Sequence, residues 1–201
     1  REMMRAFFFF FKPEGEATDE MPDGEDGETS DQDSSTENQG ETKIGETSYT
    51  EVRKAIVKEY HRDNFHGAAS LAIDFLEGRR DDLDPGQQAQ LLALAAKANI
   101  ELEQFEIAEE HCSDALTKTN SGDNIAECFV LNTYALLRFR QNRPNDSLAY
   151  LQDAASKTMS LPQELRLLTL ANIAKVMEEV SPENAKRYYD AAIHLWRALN
   201  F

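Results

Sequence analysis

Residues 91–116, LLALAAKANIELEQFEIAEEHCSDAL, decide the fold. Apolar and small residues recur at helical spacing along it, in keeping with a chain that alternates apolar helical stretches with short breaks. That is the spacing of two amphipathic helices joined by a short turn. Beyond Ser48 no run rich in Val, Ile and Thr reads as a strand, so this part of the chain is expected to be all-α.

The same pattern recurs on either side. NFHGAASLAIDFL (64–76), QFEIAEEHCSDAL (104–116), RPNDSLAYLQDAA (143–155) and SPENAKRYYDAAI (181–193) each carry a small residue early and an apolar or small one seven later. With Ala68, Ala108, Ser147 and Ala185 as equivalents, the spacings are 40, 39 and 38 residues. A fixed period of this size implies stacked helix pairs in a solenoid. A small residue on the second helix lets its backbone approach the first, where a Leu would hold the axes apart.

Within residues 91–116, Leu92, Ala95, Ala96, Phe105, Ala108, Cys112 and Ala115 sit at the signature spacing of one tetratricopeptide repeat, and the chain resembles that family over 48–201. The other units match more loosely, through Phe65/Ala68/Phe75, Ala135/Ser147/Ala154 and Ala185/Tyr189/Ala192. The resemblance implies a right-handed solenoid of about four antiparallel helix pairs, with units near 48–84, 85–121, 122–159 and 160–201. Two features depart from the family. The period exceeds its usual ~34 residues, as in kinesin-light-chain repeats, and prolines (Pro144, Pro182) stand where a tyrosine is usual. A HEAT or armadillo-like solenoid is the structural alternative.

Start signals mark the breaks. Ser48 with Glu51 forms a capping box, Asp84-Pro-Gly-Gln87 supplies a cap, an N1 proline and an N3 glutamine, and Ser160-Leu-Pro-Gln163 and Ser181-Pro182 work similarly. Helix starts are expected near 85, 161 and 182. Asn145, in a formal glycosylation sequon, reads instead as a cap.

Ahead of Ser48 the composition changes. Residues 13–47 hold thirteen acids against Lys43 and few aliphatic residues, so they are expected to be a disordered acidic linker. Ser30 and Ser34 lie there in acidic contexts suited to a casein-kinase-type enzyme. Residues 1–12, with Phe7 to Phe11, read as an apolar remnant of an upstream element, and the mainly apolar run of residues 3–11 is far shorter than the roughly 20 residues a spanning helix needs. The first residue is Arg1, which suggests a fragment. A net charge of −16 disfavours direct binding to nucleic acid or an anionic leaflet and leaves basic partners open.

Catalytic chemistry is not signalled. His61-Arg62-Asp63 lacks the downstream Asn of a kinase loop, His61 and His66 are out of phase on a helix, and Glu109-Glu110 and Glu178-Glu179 point about 100 degrees apart. Cys112 reads as a buried, inert thiol and Cys128 lies early in the next helix; two cysteines suit a reducing compartment, and no cofactor or metal is expected.

The resemblance therefore implies a non-enzymatic scaffold or adaptor. It would bind a partner peptide or helix in a groove lined by the first helix of each pair, as part of a larger complex in the cytoplasm or nucleus. In that register Arg53, Tyr60, Lys97, Asn132 and Phe139 are the leading contacts, with Val57, Ile100, Phe129, Leu170 and Met177 as further lining. Arg53 and Val57 do not complete the Lys/Asn carboxylate clamp of chaperone-binding members. An acidic-tract histone chaperone that binds basic proteins and a membrane-associated adaptor are the alternatives. The apolar stripe of the last helix, Tyr188, Ala192, Leu195, Trp196 and Leu199, asks for a covering repeat or partner.

Overall fold

The computed structural model describes residues 48–119, 123–157 and 162–200. The acidic stretch with Ser30 and Ser34, the Phe7–Phe11 run and Ser160 lie outside them. Ser48 opens helix α1 (Tyr49–His61): its hydroxyl accepts the Glu51 N–H at 3.2 Å, and the Glu51 carboxylate accepts the Ser48 N–H at 2.7 Å. After α2 (Phe65–Arg79) and a 3-10 turn (Arg80–Asp82), the same reciprocal cap between Asp84 and Gln87 opens α3 (Pro85–Glu101). There follow α4 (Phe105–Thr119), α5 (Asn124–Arg140), α6 (Pro144–Lys157), α7 (Gln163–Val180) and α8 (Pro182–Asn200). The described residues are all-α, without a strand.

Local chemistry corrects two expectations and adds a cap that the sequence reading missed. Helix α7 starts at Gln163 rather than near 161, because Pro162 takes the cap position with extended ψ and no side chain caps it. Asn145 is the second residue of α6 and not its cap, since Pro144, with its fixed φ, already occupies the first helical position. Asp123, not singled out from the sequence, caps α5 by accepting from the Ile125 and Ala126 N–H groups at 3.0 and 3.1 Å.

One turn is built three times. Between α1 and α2, α3 and α4, and α5 and α6, the middle residue of a three-residue link, Asp63, Glu103 or Asn142, adopts φ of 59, 59 and 60 degrees. In each link the middle N–H donates three residues back, at 3.0–3.1 Å. The next N–H donates five back, from Asn64 to Glu59, Gln104 to Asn99 and Arg143 to Arg138, at 2.9–3.0 Å. This Schellman closure satisfies the last carbonyls of the first helix and turns the chain at once into the second. The α7–α8 link differs: Ser181 alone joins the helices, with φ of −156 degrees.

Packing follows the pairs. Odd helices touch one another in succession, and each even helix packs on the odd helices before and after it. Helix α3 is enclosed: Leu91 to Ala96, Ala98 and Ile100 are at most 5% exposed, and its alanines let neighbours approach closely. The main core runs from α1 to α5, and two smaller clusters join α5 to α6, α7 and α8 around Leu151 and Leu165. Each fully buried Leu or Ile there contributes about 2 kcal/mol.

All four small residues expected at equivalent positions are buried, Ala68, Ala108 and Ser147 fully and Ala185 nearly so. Ser147 also donates to the Ala135 carbonyl of α5 at 2.7 Å, a bond reachable only because the two backbones lie close. On α8, Ala192 is buried, whereas Trp196 and Ile193 are exposed.

Candidate functional site

The odd helices enclose a cleft with about 50 Å³ of room for water, lined by Tyr60 of α1, Lys97 and Glu101 of α3, Phe129, Asn132, Thr133 and Leu136 of α5, and Leu168 and Asn172 of α7. A smaller recess of about 30 Å³ adjoins it, sharing Leu136 and Asn172 and adding Phe139 and Lys175. Residues at i, i+3 and i+4 share a helix face, so α3, α5 and α7 each present a short patch to the same space, to which α1 adds Tyr60.

One wall is ionic. The Tyr60 hydroxyl donates to Glu101 Oε1 at 2.8 Å, and Arg140 donates to both Glu101 oxygens at 2.9 and 2.8 Å. Burial, reinforced by the Glu101 carboxylate, raises the Tyr60 phenol well above its usual range, so it stays a donor. Lys97 Nζ lies 5.6 Å from the centre of the Tyr60 ring. Desolvation pushes this half-buried amine down to about 7, against the opposing pull of Glu101.

The opposite wall is an amide network. Asn132 Nδ2 donates to the Cys128 carbonyl at 2.9 Å and to Thr169 Oγ1 at 3.0 Å, and Asn132 Oδ1 accepts from Asn172 Nδ2 at 2.8 Å. Thr169 passes its own proton to the Leu165 carbonyl at 2.9 Å. Asn132 is thus fully committed at 5% exposure, and it fixes Asn172, which stands nearer the opening.

Of the residues expected in a groove, Tyr60, Lys97, Asn132 and Phe129 meet in the cleft and Phe139 lines the adjoining recess. Arg53 lines neither and lies 5.6 Å over the Tyr49 ring. Ile100 is fully buried, Val57 packs against the main core, and Met177 packs beside the Leu151 cluster. Glu101, Thr133, Leu136, Arg140, Leu168 and Asn172 escaped the sequence reading. The missed signal is spacing: Tyr60–Glu101, Glu101–Arg140 and Asn132–Asn172 bond across 41, 39 and 40 residues, one period each.

Elsewhere, Glu109 is not simply solvated. Its two oxygens accept from Arg138 at 2.6 and 2.9 Å, which lowers the carboxyl below its usual range. Burial pushes the Cys112 thiol up to about 12 and the Cys128 thiol to about 11, which suits packing rather than nucleophilic attack. Among the described residues no group of His, Cys, Asp and Glu could hold a metal ion, and no helix is long and apolar enough to cross a membrane.

In comparisons with known proteins, no family model, curated protein or solved structure matches this chain.

Proposed function

We propose that this chain is a non-enzymatic interaction scaffold. Its helix pairs make a tetratricopeptide-like, right-handed solenoid, and its cleft takes a peptide or helix from a protein partner. One observation carries the reading: a single cleft draws side chains from α1, α3, α5 and α7, so one elongated partner laid across it would meet all four helices. The solenoid is supported by the turn repeated at Asp63, Glu103 and Asn142, the buried small residues, and the side-chain bonds spaced one period apart.

Within the cleft the roles divide. Phe129, Leu136 and Leu168 offer apolar area, Lys97 offers N–H donors, and Asn172, oriented by Asn132, offers an amide carbonyl to a partner's backbone N–H. An amide held by a second amide is preorganised, which lowers the cost of ordering it on binding.

The test is capture from a cell extract with the whole chain and with the double variant Lys97→Ala/Asn172→Ala. Specific partners should fall at least tenfold while the urea midpoint stays within the range of a folded domain. Equal recovery by a folded double variant would remove the cleft from the reading.

A further inference from the structure

We propose that the outer face of α8 binds a second copy of this chain, α8 against α8, antiparallel about a two-fold axis between Ile193 and His194. The period identifies that face. Four residues after each buried small residue stand Ala72, Cys112, Leu151 and then Tyr189, and eight after it stand Leu76, Leu116, Ala155 and then Ile193. In the first three pairs these positions are covered. Ala72, Cys112 and Leu151 are fully buried, and Leu76, Leu116 and Ala155 pack in clusters that include side chains of the next odd helix. On α8 the same positions are open: Tyr189 is half-buried, Ile193 is 45% exposed, and Trp196, one turn on, is 43% exposed. The sequence thus places on α8 the face that elsewhere receives a helix, with Tyr189, Ile193 and Trp196 along it at i, i+4 and i+7.

Charge selects the occupant. Asp190 and Arg197, both exposed, lie two turns apart beside the apolar strip. In an antiparallel pair centred between Ile193 and His194, position 190 of one copy stands opposite position 197 of the other, so Asp190 meets Arg197 twice by symmetry. A parallel pair would set Asp190 on Asp190 and Arg197 on Arg197, like charges that repel. Open head-to-tail growth is disfavoured too, since the exposed positions of α1 are Thr50, Glu51, Lys54, Lys58 and His61, all polar. One helix from each copy makes a small interface, so the dimer should be weak, with a dissociation constant on the order of 10 µM. None of this depends on what the cleft binds.

The experiment follows the mass of the full chain by analytical ultracentrifugation from about 1 to 200 µM, with circular dichroism to confirm that each variant stays helical. The original chain should pass from monomer to dimer across that range and grow no further. Asp190→Arg and Arg197→Asp should each weaken the dimer at least tenfold, because either change sets like charges across the axis. An equimolar mixture of the two variants should pair as the original does, since every facing pair is then opposite in charge, and so should the double reversal in one chain. Ile193→Glu, at an exposed position, should abolish pairing in a chain that still folds. A chain monomeric at every concentration would overturn the proposal, as would growth beyond a dimer, single reversals that pair unchanged, or a mixture that regains nothing. If a monomeric chain began to pair once Phe7 to Phe11 were changed to Ser, the face would belong to that segment instead.

Discussion

Asn132 of α5 and Asn172 of α7, forty residues apart, meet in a 2.8 Å hydrogen bond. The same Asn132 amide donates to Thr169 on α7, so two bonds cross between these helices from one side chain. A buried amide with its donors and acceptor all engaged fixes how one odd helix sits on the next, since any shift breaks several bonds together.

Asn132→Ala should consequently cost about 2–3 kcal/mol, because it deletes packing and strips a bond from the part-buried Asn172. Asn172→Ala should cost only about 1 kcal/mol, since Asn132 keeps its other bonds. Urea unfolding followed by circular dichroism separates the two. Equal losses would mean that the pair, and not the wider network, holds the contact.

The helix pairs were legible because the small residues Ala68, Ala108, Ser147 and Ala185, all buried, repeat at nearly constant spacing. The turn itself was not: its left-handed position is filled by Asp63, Glu103 and Asn142 instead of the usual Gly. In the cleft, Tyr60, Lys97 and Asn132 could be picked from the register that the tetratricopeptide resemblance implies. Their partners Glu101, Arg140 and Asn172 could not, because which residue meets which depends on whether one pair is offset from the next by 39, 40 or 41 residues. Arg53 shares the phase but finds Tyr49 on its own helix.

Glu103 is the least suited of the three turn residues, since Asp and Asn tolerate left-handed backbone better than Glu. Glu103→Gly should stabilise the chain by about 0.5–1 kcal/mol, with relief of the φ of 59 degrees outweighing the greater freedom of the unfolded glycine. Asn142→Gly at φ of 60 degrees should gain less. Thermal unfolding of both variants checks the order, and a destabilised Glu103→Gly would show that its side chain contributes more than its backbone costs.

Ser147 is fully buried against α5, where its hydroxyl reaches the Ala135 carbonyl at 2.7 Å. Ser147→Ala keeps the close approach and should cost about 1 kcal/mol for the lost bond. Ser147→Leu must push α6 away from α5 and should cost about 3 kcal/mol or leave the last two pairs unfolded. Proteolysis of each variant would map the damage: cleavage confined to residues beyond Arg140 places it at this packing point, and uniform cleavage does not.

Lys97 makes stability depend on pH with a definite sign. Its amine sits at about 7 in the folded chain and near the ordinary ~10.4 when unfolded, so between those values the unfolded state binds more protons. The Lys97 contribution to stability therefore rises as pH climbs from about 7 towards 10, and charging the half-buried amine penalises the fold most below pH 7. Tyr60, Cys112 and Cys128 oppose this at the alkaline end, because their raised values leave the unfolded state the more readily ionised. The difference between Lys97→Met and the original chain cancels those terms. Lys97→Met should be the more stable protein at pH 6, with its advantage shrinking steadily to pH 10. Urea midpoints at four pH values measure it, and a difference constant with pH would show that Lys97 keeps its proton in the cleft.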